Sequence, residues 1–145
     1  MTQVQERADF VVGEAATITK TITLEDVEAF AALTGDYNPV HVDDAYAAGT
    51  LFGGRIVHGM FLAGLISAVI GTTMPGPGAI YMTQELRFTA PAYPGDTLTA
   101  RVEVTAWDGQ KGRITLATEV RNQDGKQLVM GDARLVMSAF LKPRA

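Results

Sequence analysis

From Ile56 to Gln84 the chain carries no Asp, Glu, Lys or Arg, and the part from Ile56 to Ile70 is almost continuously apolar. A helix that is apolar on nearly every face cannot lie on a solvated surface. Two homes remain for it, a bilayer or the middle of a fold. A membrane span needs ~20 apolar residues, whereas this run includes His58 and Gly59, ends at Ile70 and is soon followed by Pro75 and Pro77. The stretch therefore reads as a buried helix from about Val57 to Gly71, one that protein must surround.

The rest of the chain can do so. Around Thr17 to Thr23, Ile18 and Ile22 share one parity, a short strand pattern. Thr23 is set to N-cap a helix whose Leu24, Val27, Phe30 and Ala31 share a face, with Asp26 completing a capping box and Gly35 stopping it. Asp43 or Asp44 can cap a short helix through Tyr46 and Ala48, and "GTLFGGR" reads as a loop. From Ala79 the period becomes two: Ile80, Met82, Leu86, Phe88; then Leu98 to Ala106; then Ile114, Leu116, Val120; then Leu135, Met137, Ala139. Pro94-Gly95-Asp96, Asp108-Gly109 and Asp124-Gly125 mark the turns. Alternating strands after helices predict an antiparallel sheet packed on one face by helices, the α+β class. With no repeat or linker, residues 1–145 read as one domain, long enough to bury about 70% of the unfolded surface.

Composition removes several functions. There is no cysteine, which excludes disulfides, thiolate nucleophiles and thiolate metal sites. Twelve basic against sixteen acidic residues give a formal charge of -4 with no basic run, so neither nucleic acid nor an anionic membrane is an expected partner. The opening "MTQVQERADF" lacks a secretory pattern, and a cytoplasmic protein is expected. Nucleotide-binding glycine motifs are absent, and two histidines without cysteine nominate no metal site.

The chemistry concentrates in "TGDYNPVH". Asp36 and His41 sit five residues apart on a turn that Pro39 stiffens and whose backbone Asn38 can bond. A carboxylate beside a histidine suits proton transfer near neutral pH. The plainer alternative is a turn cap at Asp36 and a satisfied histidine at His41. Gly59 opens the buried helix, where unpaired N–H groups and the positive dipole end suit a developing oxyanion; close packing is its structural alternative. His58 reads first as a helix-start residue with a structural hydrogen bond. Ser67 either points into the same cavity or bonds back to a carbonyl, and "GLISAVIG" is no nucleophile elbow.

Together "GDYNPVHVDDAYA" and "FGGRIVHGM" closely resemble the hydratase motif of the MaoC-like family, specifically its R-specific enoyl-CoA hydratases. The likeness runs from about Val11 to Leu141 and is most specific between Thr34 and Ser67. It implies a hot dog fold, an antiparallel sheet wrapped round a long helix, and a homodimer in which two sheets join. It implies Asp36 and His41 as the catalytic pair and Gly59 as the backbone donor to the thioester oxygen. Asn38 is implied to orient the pair, and Ser67 to support the substrate. The implied reaction is reversible hydration of a trans-2-enoyl-CoA to the (R)-3-hydroxyacyl-CoA, with no cofactor besides the coenzyme A of the substrate. Its phosphates need local cations, for which Arg55 and Arg87 are candidates.

Three rivals accompany this expectation. One is a dehydratase of carrier-bound or specialised acyl thioesters, sharing the pair. Another is a hot dog thioesterase, disfavoured because Met60 to Ile70 contains no carboxylate to activate water. The last is a non-catalytic acyl-CoA binding module, which has no use for Asp36.

Overall fold

The computed structural model describes residues 3–144. A first strand, β1 (Ala15–Thr21), leads into α1 (Leu24–Thr34). Two short helices follow, α2 (Pro39–Val42) and α3 (Asp44–Ala48), then the long helix α4 (Gly59–Thr72). Five strands complete the chain: β2 (Ala79–Gln84), β3 (Arg87–Phe88), β4 (Thr97–Asp108), β5 (Arg113–Arg121) and β6 (Gln127–Met137). The strands form one antiparallel sheet in the order β1-β4-β5-β6-β2, with β3 also on β6.

Period-two patterning explains which face turns inward. Leu98, Ala100, Val102 and Val104 of β4, and Ile114, Leu116 and Val120 of β5, are buried, while their neighbours in sequence point away. Against that face α4 lays Leu62, Leu65, Ile66, Val69 and Ile70, touching β1, β4 and β5. Each fully buried aliphatic side chain of this kind contributes about 1.5–3 kcal/mol. A curved antiparallel sheet around one apolar helix is the hot dog arrangement, as expected.

Local signals act where they were read. Thr23 Oγ1 accepts the Asp26 N–H at 3.0 Å and Asp26 Oδ2 accepts the Thr23 N–H at 2.9 Å, closing the capping box. Gly35 ends α1 at φ 82°, a left-handed conformation that a Cβ would strain. Asp43 caps α3 through the Tyr46 N–H.

Three differences have physical causes. The long helix starts at Gly59 and not at Val57, because His58 takes a non-helical ψ of 133° as its N-cap, while the Val57 N–H before it donates to the Ala92 carbonyl at 2.8 Å. Strand β6 begins well before Leu135; successive buried Leu128 and Val129 and the intervening Gly131 and Asp132 hide its alternation. Most consequentially, α4 is not enclosed by this chain. Met60 is 64% exposed, and the small residues Gly64, Ser67 and Gly71 leave the same side open beside the exposed β2 residues Tyr81 and Met82.

Candidate active site

The turn between α1 and α2 is held by its own polar groups. Asp36 N–H donates to Thr34 Oγ1, Asn38 N–H to Asp36 Oδ1, and Val40 N–H to Asn38 Oδ1, each at 3.2 Å. Asn38 thereby N-caps α2, with Pro39 in the first turn, and its side-chain oxygen serves the turn. This fixed backbone exposes the Asp36 side chain and sends His41 inward, to 8% exposure.

The imidazole of His41 is oriented by main chain. Its Nδ1–H donates to the carbonyl oxygen of Ile56 at 2.8 Å, so in the neutral ring Nε2 carries the free lone pair. Burial pushes the His41 pKa below its ordinary value of 6.5, against the opposing pull of the Ile56 carbonyl; nearby His58 pushes the same way and Asp36 the other. His41 is thus a neutral base at pH 7.

His58 makes the structural hydrogen bond expected of it, and more. Its Nε2–H donates to the backbone carbonyl of Asp36 at 3.0 Å, tying the turn to the start of α4. Its ring stacks on His41 with centroids 3.9 Å apart and planes 28° apart, while Phe30 covers it at 4.7 Å.

A ligand atom from each of Asp36, His41 and His58 lies within 4.8 Å of the others. This brings a carboxylate to both histidines, a grouping that sequence spacing does not nominate. The grouping suits proton transfer better than metal binding. One nitrogen on each ring already serves a carbonyl, and stacked rings direct their remaining lone pairs along near-parallel planes instead of toward one centre.

Gly59 stands at the first position of α4, where helix geometry provides no intrahelical acceptor for its N–H. The N-cap residue, His58, makes no side-chain capping bond either. A cleft of about 340 Å³ opens there, lined by Phe52, Ile56, Gly59, Leu62, Phe88 and Pro91 among others. Phe88 lies so close to Gly59 that it helps define this approach, a role its strand pattern does not disclose.

Ser67 and Arg55 stand apart from this centre. Ser67 lines an adjacent apolar groove of about 430 Å³ between α4 and β2, with Met60, Gly64, Tyr81, Met82 and Gln84. Arg55 is not the free cation expected for coenzyme A phosphates. Its Nε donates to Asp44 Oδ1 at 2.8 Å, its Nη1 lies 3.5 Å from Glu28, and its side chain is only 10% exposed. The guanidinium joins α1 and α3 to the loop before α4, and it holds the Asp44 carboxyl below its usual range.

Comparison with known proteins places the chain in a family. A family model described as MaoC like domain matches residues 11–126. The (R)-specific enoyl-CoA hydratase of Rhodospirillum rubrum is 46% identical over 131 residues, covering 90% of each chain. The protein of the same name from Aeromonas caviae is 47% identical over 122 residues, 84% of this chain and 91% of that one. Among solved structures, the unliganded R-hydratase of Pseudomonas aeruginosa superimposes with a TM-score of 0.85 at 46% identity, covering 95% of this chain and 94% of that one.

Proposed function

Because the chain belongs to the MaoC-like domain family, we propose that it catalyses the reversible (R)-specific hydration of trans-2-enoyl-CoA to (R)-3-hydroxyacyl-CoA. The observation that carries this reading is a neutral His41 with its Nε2 left bare, clustered with the Asp36 carboxylate and next to the uncapped helix start at Gly59.

Hydration adds hydroxide to the β-carbon and a proton to the α-carbon, and negative charge builds on the thioester oxygen between the two. In this reading Asp36 and His41 together take the proton from water and return one to the α-carbon; their protonation states belong to the pair. The Gly59 N–H, at the positive end of the α4 dipole, donates to the enolate oxygen. The burial that lowers the His41 pKa keeps the ring unprotonated, and so able to accept a proton, at neutral pH. Asn38 acts through the turn it caps. Coenzyme A enters as part of the substrate, and Ser67 contacts substrate along the α4–β2 groove.

The protein acts as a homodimer in this proposal, residues 1–145 forming one domain. Support comes from β2, an edge strand of the sheet whose exposed Tyr81 and Met82 adjoin the open side of α4. A second copy would extend the sheet and close that side as the far wall of the substrate groove. No helix among the described residues is long and apolar enough to cross a membrane, and cytoplasmic placement belongs to the same proposal.

The test is loss of the enoyl thioester absorbance on mixing the protein with crotonyl-CoA, with the product oxidised by an R-specific dehydrogenase. Turnover that disappears in Asp36→Asn supports the assignment. Failure of crotonyl-CoA and of longer enoyl thioesters alike overturns it.

A further inference from the structure

His58 is nearly inaccessible at 1% exposure, yet its residue type is not what packing alone would select. Its ring is sandwiched between His41 and Phe30, contacts that a phenyl ring would make equally well. Its Nδ1 is buried without a hydrogen-bond partner, which costs stability. What the imidazole does and a phenyl cannot is donate Nε2–H to the Asp36 carbonyl.

We propose that His58 is a positioning residue for the hydration reaction, holding the backbone of Asp36 with one edge and the plane of His41 with its face, and so fixing both acid-base groups relative to Gly59. This rests on the proposed hydratase activity. His58 immediately precedes Gly59 in the chain and occupies the N-cap position of the helix that Gly59 begins. One residue therefore spans all the catalytic parts: it bonds the turn of the carboxylate, stacks on the base, and sets where the oxyanion donor starts. Displacements well below the size of a water molecule at such a junction are felt in the chemical step, where an error of about 1 Å costs about 10²-fold.

Two substitutions separate its contributions. Gln at position 58 keeps an N–H donor near that of Nε2 and gives up the stacked ring; Phe keeps the stack and gives up the donor. We expect His58→Phe to lower kcat about 10²-fold with KM within about threefold, and His58→Gln to recover activity to within about tenfold of the parent. The titratable groups facing His41 are Asp36 and His58. Removing His58 removes a neighbour that disfavours the His41 cation, so the acid limb of the pH profile moves to higher pH in both variants. A merely space-filling His58 would lower Tm while leaving kcat on the plateau of the pH profile in place; folded variants with that behaviour overturn the proposal.

Nitrogen-15 spectra of the unsubstituted protein give an arm that needs neither turnover nor a folded variant. His58 protonated on Nε2 and His41 on Nδ1 support the arrangement, and the opposite tautomer at His58 overturns it. Inactivity toward every enoyl thioester, with these tautomers present, would count against the hydratase assignment and not against the arrangement.

Discussion

A methyl group built on Gly59 would lie 2.8 Å from Cε1 of Phe88 and 3.0 Å from its Cδ1. The ring would have to move, and because Phe88 is half exposed on the short strand β3 it can. Gly59→Ala should therefore fold but narrow the approach to its own N–H, lowering kcat/KM about 10²-fold. Wild-type kinetics in a folded variant would remove Gly59 from the oxyanion role.

Asp36→Asn and His41→Ala each remove one half of the proton-transfer pair. Each should cut kcat by at least about 10²-fold. Because Asp36 is exposed, its variant should melt close to the parent, whereas His41→Ala empties a buried position and frees the Ile56 carbonyl and should fold but melt lower; near-normal turnover in either variant would sink the pair as assigned.

Acid should affect rate and stability in the same sense. With the folded His41 pKa below 6.5, the base form survives into mildly acidic solution, and the acid limb of kcat/KM should have its midpoint below 6.5. In the interval between the folded value and 6.5 the unfolded chain binds more protons than the native one, so this group's contribution to stability declines as pH falls through that interval. A pH-rate profile beside denaturant melts checks both; a midpoint above 6.5 would contradict the buried, neutral base.

Much of the fold is written locally in this chain, and the site only partly. The capping box at Thr23 and Asp26, the stop at Gly35 and the alternation of β4 and β5 are short-range effects, legible because each acts within a few residues. Asp36, His41 and Gly59 are legible as types suited to the chemistry. The union of Asp36, His41 and His58 requires the loop through Ile56 to return to the turn, a long-range closure with no local pattern. Arg55 misleads for a related reason: its carboxylate partners come from α1 and α3, so sequence shows the cation and conceals its neutralisation.

Arg55→Ala should leave KM for an enoyl-CoA unchanged at low salt, and lower Tm. The substitution removes the link among α1, α3 and the loop before α4 and leaves two carboxylates without their cation. Titration of initial rates at low ionic strength, beside a thermal melt, reads the two effects separately. A large rise in KM with unchanged Tm would return Arg55 to phosphate binding.

Met82 is 55% exposed on edge strand β2, beside the open side of α4. In the proposed homodimer, Met82→Asp should shift the particle from dimer to monomer in sedimentation or light scattering, with activity falling as the protein is diluted. An unchanged dimer would direct the search for the interface elsewhere.

The carbonyl that holds Nδ1 of His41 belongs to the main chain of Ile56. Substitution can change the size or polarity of the side chain at that position, but it cannot delete the acceptor. The proton inventory of the imidazole is thereby inherited from the path of the loop, and it is as heritable as that path. Variation in the surrounding cleft can explore different acyl groups while the tautomer that leaves Nε2 bare is handed down unchanged.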